Sequence, residues 1–365
     1  MMFHVTKEEV QSILSDFGLF EPVEAITELQ RYHYEKKDPL TREVRLILKV
    51  DRQKAEPVVV RFKNEQDVTR DLIEQQSAFA HLLFENGVET PRQYQANGCF
   101  TQWVTLGGYE VIVTVESFVQ GEIHIVEEDT AEKTGALLAR THQIAEKNGV
   151  HVANPVLFDP LSDNDLFDFA AFCSHEAVLR PLAPALYEQI VTAYETCRQK
   201  LFPFKAEPRY AVQGDISDCN LYKTARGDIG LFDFNRCGDN HLYFDTVMQA
   251  VFESQLMDYP VGYDDKEKGK ILAAFLRGYQ SVRPFTQEQK ETYPYFVAMI
   301  RAFWSMDIKW KENSLCQVVE REDWESARAW LQEIDRRLRE RPAWPIEEGK
   351  EGGNGYAEKG DRSGR

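Results

Sequence analysis

The sequence predicts an α+β protein built in two unequal parts, and three observations carry that expectation. Residues 1–115 combine alternating strand patterns with a single long amphipathic helix. Beyond Gly121 the apolar periodicity is almost entirely helical. One stretch, Tyr210 to Asp233, interrupts that helical pattern with two short apolar runs flanking a loop and a turn at Arg226, Gly227 and Asp228.

Taken in order, Thr6 precedes Val10, Ile13 and Leu14 at helical spacing, with Glu9 placed to complete a capping box, so a short helix is expected over Thr6 to Phe17. Between Ala25 and Phe62, Val44, Leu46, Leu48 and Val50 alternate with Arg45, Ile47 and Lys49, and Pro57 leads into Val58, Val59 and Val60, which predicts an antiparallel sheet. Val68 to Asn86 carries Leu72, Phe79, Leu82 and Leu83 on one helical face, and Gly87 stands where a C-terminal cap belongs. Gln102 to Thr105 and Tyr109 to Val115 read as a hairpin turned at Gly107 and Gly108. These elements form a small lobe over 1–115, joined by a linker at 116–121 to a helical lobe over 122–345. Helices are expected there at Thr130 to Lys147, Phe167 to Ile190, Lys266 to Tyr279, Tyr293 to Trp310 and Asp323 to Arg339. Residues 346–365, with six glycines and no apolar periodicity, are expected to be a disordered tail.

Composition bounds the function. With 43% hydrophobic and 12% aromatic residues in 365, the chain can bury a sizeable core. Its formal charge of −17 argues against sequence-blind binding to nucleic acid or to an anionic membrane, both of which need a basic face. The acidity suits solubility, and equally a cationic substrate or a metal. Six cysteines without zinc-type spacing fit a reducing compartment. With no run long and apolar enough to span a bilayer, the expected location is cytoplasmic.

The chemistry concentrates in the interrupting stretch. Asp215 and Asn220 lie five residues apart in Gly214-Asp215-Ile216-Ser217-Asp218-Cys219-Asn220, and Asp233 follows thirteen residues after Asn220 in Leu231-Phe232-Asp233-Phe234-Asn235. A hairpin over those thirteen residues returns the chain beside its start, so that Asn220 and Asp233 can offer oxygens to one hard cation such as Mg2+. Asp215 then stands at the loop's mouth, able to accept a proton from a hydroxyl in line with a metal-bound phosphate.

With these residues the sequence resembles the aminoglycoside phosphotransferase and choline kinase family, whose fold is the two-lobed protein-kinase-like one. Further matches are Gly135 to His142, similar to the family's helix ending in histidine, Gly87-Val-Glu-Thr-Pro91, and Ile112 to Gly121, similar to its inter-lobe linker. The resemblance implies a phosphotransferase acting on an alcohol group, with ATP or GTP as co-substrate and Mg2+ as cofactor. It gives Asp215 the role of catalytic base, Asn220 and Asp233 that of metal ligands, and the backbone of Glu116, Ser117 and Phe118 that of contacting the base. It assigns a strand cation to the nucleotide phosphates, at the register of Arg61 or, two residues on, Lys63. That cation's helix partner is Glu74 or Gln76. The implied partners are a nucleotide and a small, possibly cationic, hydroxylated acceptor; acceptor identity, nucleotide preference and oligomeric state stay open.

The chain departs from the family pattern in two places: Gln213 stands where histidine usually precedes Gly-Asp, and Tyr32 to Leu46 contains no glycine for a phosphate loop. These departures support an alternative, a catalytically silent relative with a structural or assembly role such as spore-coat members of the family have. A third reading, a metal-dependent hydrolase using Asp215, Asp218 and Asp233, leaves the linker and first lobe unexplained. His142 reads first as a buried structural histidine, and Asp245 as either a brace or a substrate contact. Asp159, Asp163, Asp165 and Asp168 read as helix caps and solvated acids before a cationic site. Tyr293, Tyr295, Phe296, Phe303, Trp304 and Trp310 read as core before an aromatic cage.

Overall fold

A computed structural model describes residues 3–32, 43–123, 125–156, 158–162, 166–256 and 263–346. Most of the glycine-free stretch after Tyr32, together with Asp163, Asp165 and residues 347–365, lies outside the described residues.

In the first lobe, helix α1 (Lys7–Asp16) starts at the expected box, Thr6 and Glu9 capping each other's backbone. Strands β1 (Val23–Tyr32), β2 (Val44–Arg52) and β3 (Ala55–Asn64) precede helix α2 (Arg70–Glu85), and β4 (Gln102–Leu106) and β5 (Tyr109–Ser117) follow it. The five strands form one antiparallel sheet in the order β1-β2-β3-β5-β4. Its inner face, including Leu46, Leu48, Val60, Phe62 and Val113, makes a core with Val10, Ile13 and Leu14 of α1. Strand β5 carries Glu116 and Ser117 with it, so these two residues lie in the sheet before the chain crosses to the second lobe.

Helix α2 turns its apolar side the other way. Phe79, Ala80 and Leu83 belong to the core of the second lobe, where Phe79 meets Phe234 edge to face at 6.1 Å. The helix between the strands is thus packed as a bridge between lobes.

The second lobe holds α3 (Glu128–Asn148), α4 (Phe169–Ser174), α5 (Glu176–Leu182) and α6 (Pro184–Leu201), then β6 (Tyr210–Val212), β7 (Leu221–Lys223), β8 (Ile229–Leu231) and β9 (Gly238–Asn240). It ends with α7 (Leu242–Val251), α8 (Asp265–Val282), α9 (Gln287–Ala302), α10 (Leu315–Glu320) and α11 (Trp324–Arg339). Two expected helices are divided. The stretch Phe167 to Ile190 breaks at His175 into α4 and α5, and again before α6, where Pro184 disfavours helical backbone at Ala183, which sits at φ −152°, ψ 74°. The stretch Tyr293 to Trp310 ends as an α-helix at Ala302, where the Phe303 carbonyl accepts from the Asp168 amide at 2.8 Å. A separate wide turn follows at Met306–Trp310.

Several open readings close here. Tyr293, Phe296, Phe303 and Trp304 are buried in the second core, Tyr295 packs partly buried against it and Trp310 is 59% exposed, so these six residues belong mainly to core packing. Asp168 caps α4 through the Ala171 amide at 2.7 Å, and Asp159 pairs with Arg209. His142 and Asp245 are fully buried and bonded at 3.0 Å, with Tyr279 on the other ring nitrogen at 3.0 Å. Asp245 is therefore a brace between α3 and α7 and has no access to a substrate. Replacing one member of such a buried pair strands the other, so His142→Leu is expected to remove about 3–5 kcal/mol of folding stability, read by urea denaturation.

Candidate active site

The loop after β6 is fixed before any ligand arrives. Gly214 has φ +82°, and a Cβ there would fall 2.7 Å from the Arg236 carbonyl oxygen, so only glycine fits. Gln213, fully buried, accepts from the Asp215 amide at 2.8 Å and donates to the carbonyls of Phe232 and Asp233 at 3.2 and 2.8 Å. The residue that departs from the family pattern thus ties the Asp215 loop to the Asp233 segment, a role that residue spacing alone does not reveal.

The hairpin forms over β7 and β8, with Leu221 opposite Leu231 and the Phe232 amide donating to the Asn220 carbonyl at 3.0 Å. Asn220 is thereby set beside Asp233. Its side-chain amide nitrogen donates to Asp215, at 2.8 Å to the carbonyl and 3.2 Å to Oδ2, which commits the nitrogen and turns the side-chain oxygen away from those contacts. Asp233 adopts left-handed backbone, φ 58°, ψ 82°, and its Oδ1 accepts from the Asn235 amide at 3.2 Å. Burial raises the Asp215 carboxyl above the ordinary carboxylate value; Arg236 and the bond from Asn220 act against this, and Asp233 adds to it.

Arg61, on β3, faces the same space. Its Nε and Nη2 donate to Glu116 Oε1 at 3.0 and 2.7 Å, and Nη1 lies 3.9 Å from Asp233 Oδ2. Burial opposes its charge, but Glu116 and Asp233 outweigh that and hold the guanidinium protonated above its usual range. Lys63 bonds Asn235 Oδ1 instead, and burial with neighbouring Arg61 pushes its ammonium down to about 8.

The expected helix partner is corrected. Glu74 is spent on the Phe100 and Thr101 amides, each at 2.9 Å, because it lies on the side of α2 that faces the 100–101 turn. Gln76 donates to the carbonyls of Asn235 and Cys237 at 3.1 Å. Neither reaches Arg61; the acid that does is Glu116, from the neighbouring strand β5.

Arg61, Glu116, Asn220 and Asp233 line one cleft of about 880 Å³ between the lobes, and Asp215 sits behind this lining, bonded to Asn220. Leu29, Ile47 and Lys49 roof it, Phe118 and Gly121 lie on its linker side, and Asn220, Phe232 and Asp233 lie on its floor. The Ser117 amide donates to the Arg92 carbonyl at 2.9 Å and the Phe118 amide to the Pro57 carbonyl at 3.0 Å. These two amides are therefore committed within the protein, and Val119 and Gln120 also line the cleft. Gly121 lets the linker close on the hairpin, its carbonyl accepting from the Lys223 amide at 2.7 Å where a Cβ would collide with Lys223.

Among the described residues no three His, Cys, Asp or Glu side chains converge as a metal site. The Asn220 amide oxygen and Asp233 carboxylate are hard oxygen donors on one wall, which fits Mg2+, an ion that takes few protein ligands and completes its shell with phosphate and water.

A profile of the phosphotransferase enzyme family matches residues 42–285, from the second strand to the end of α8. The chain belongs to this family. Among solved structures it is similar to a microcompartment-associated aminopropanol kinase, at 16% identity and TM-score 0.54, over 89% of this chain and 94% of that one. It is similar to an amicoumacin kinase solved with AMP-PNP and Ca2+, at 14% identity and TM-score 0.53, over 89% and 93%. An aminoglycoside phosphotransferase from Alicyclobacillus acidocaldarius matches at 11% identity and TM-score 0.53, over 93% and 97%. At these identities the likeness is one of fold, and the fold is the protein-kinase-like one expected. An uncharacterised protein of Deinococcus radiodurans is 32% identical over 98 residues, a stretch spanning 27% of this chain and 27% of that relative. Among the described residues no helix is long and apolar enough to cross a membrane.

Proposed function

We propose that this family member transfers the γ-phosphate of ATP or GTP to a hydroxyl of a small metabolite or aminoglycoside. The observation that carries the reading is the shared wall of Asn220 and Asp233 facing Arg61 across one cleft, with Asp215 bonded to Asn220 behind it. In this reading the base lies against the linker backbone near Ser117 to Gln120, with the polyphosphate directed toward Arg61. Asn220 and Asp233 hold Mg2+, which when bound neutralises phosphate oxygens. Asp215 orients the acceptor hydroxyl and takes its proton, a task that its raised pKa suits. Amino alcohols and aminoglycosides are the first acceptors to examine, because they are the substrates named for two of the structural neighbours and the chain's charge of −17 favours cations.

The first test is thermal. A ligand that binds only the folded state raises the melting midpoint, so MgATP or MgGTP is expected to do so, and EDTA to cancel most of the rise. Phosphate transfer is then screened over a panel of amino alcohols and aminoglycosides. A midpoint unmoved by either nucleotide overturns the reading.

A further inference from the structure

We propose that the Glu116 side chain is a positioning residue that holds Arg61 at the phosphate end of the cleft, doing from the sheet what an acid on α2 was expected to do. The inference rests on the nucleotide reading above and concerns a group which that reading leaves unused, since there the base lies against the backbone from Ser117 to Gln120.

Register places the pair. Val59 pairs with Glu116 and Arg61 with Thr114 across β3 and β5, so all four side chains share one face of the sheet. Val59, Arg61 and Glu116 line the cleft itself. Glu116 is 9% exposed and is held at both oxygens: Arg61 takes Oε1, and Gln93 Nε2 donates to Oε2 at 3.0 Å. Gln93 is itself buried and is bridged to Glu116 through the backbone. The carboxylate is therefore committed before a nucleotide enters.

One nitrogen of Arg61 remains unused by Glu116. Among the described residues Arg61 Nη1 is buried without a hydrogen-bond partner, 3.9 Å from Asp233 Oδ2. A buried donor left unpaired is rare unless a ligand completes it. Held by two bonds to Glu116, the planar fork cannot swing away, so Nη1 keeps its direction toward the phosphates at little entropic cost on binding. Because both partners sit on adjacent strands, the pair needs no movement of α2. That helix is tied separately to the Asn235 and Cys237 carbonyls by the neutral Gln76.

The test compares the Mg-nucleotide that wild-type protein binds with the matching nucleoside, which has no phosphate. Glu116→Gln is expected to weaken Mg-nucleotide binding about tenfold or more, while nucleoside affinity stays within about twofold because only the phosphate contact is lost. In an Arg61→Met background the added Glu116→Gln change is expected to alter affinity less than about twofold, since its effect runs through Arg61. Equal weakening of nucleoside and nucleotide overturns the proposal by placing the side chain on the base. Undiminished nucleotide affinity, or additivity with Arg61→Met, overturns it also. Glu116→Asp, which keeps the charge but withdraws it by one methylene, serves if the first variant does not fold, with the same selective loss expected and an unchanged nucleotide affinity overturning the role. A wild-type chain that binds neither ATP nor GTP overturns the reading of the whole site and this role with it.

Discussion

Asp215→Asn is expected to lower phosphate transfer by about 10²–10⁴-fold, the range for loss of a general base, while nucleotide affinity changes little. The substitution keeps size and shape, and the bonds that set the loop come from the residue 215 backbone and from Gln213 and Asn220, so the fold of the site is retained. What disappears is the capacity to accept a proton. The pH profile carries a second signature. Asp215 works only when ionised, and burial has moved its pKa upward from the ordinary 3.8. The acidic limb of kcat/KM should therefore lie above that value, activity falling as the pH drops through it. Arg236 opposes the rise, so Arg236→Gln should move the limb to higher pH. A limb unmoved by Arg236→Gln, or turnover undiminished in Asp215→Asn, would remove Asp215 from the base role.

The parts legible in the sequence were those whose causes are local. Capping at Thr6 and Glu9, alternation through Val44 to Val50, and the thirteen-residue return from Asn220 to Asp233 all depend on residues near one another in the chain. Helix breaks were less visible, because Pro184 acts on the residue before it while the apolar period runs on. The partner of Arg61 was hidden for a different reason. Glu74 lies near the expected helix register, but the direction of α2 against the 100–101 turn commits it there, while Glu116 reaches Arg61 through strand pairing between distant segments. The significance of Gln213 was obscured in the same way, since two of its three bonds reach carbonyls 19 and 20 residues along the chain. A pattern comparison records the missing histidine but not the amide geometry that fastens the two loops.

Asp233→Asn is the variant that separates the metal site from the backbone that carries it. Asp233 sits at φ 58°, where alanine would add roughly 1–2 kcal/mol of strain, whereas asparagine tolerates this conformation and can keep the bond from the Asn235 amide. The charge alone is removed. Loss of groups that merely support a metal ligand costs about 10–100-fold in metal affinity, so loss of this anionic donor should raise the Mg2+ concentration needed for nucleotide binding by at least about 100-fold. Metal-free nucleotide affinity should hold or improve, because a negative charge has left the wall beneath the phosphates and Arg61 has lost an acid 3.9 Å away. Titrating Mg2+ at fixed nucleotide checks this, and an unchanged titration would exclude Asp233 as a ligand. Residual turnover, measured at saturating Mg2+, reports on the neighbouring base. Asp233 is one of the groups that raise the Asp215 pKa, so its neutralisation should shift the acidic limb downward, opposite to the shift expected for Arg236→Gln. Opposed shifts from two charges of opposite sign acting on one carboxyl would identify that carboxyl as the group titrating in turnover.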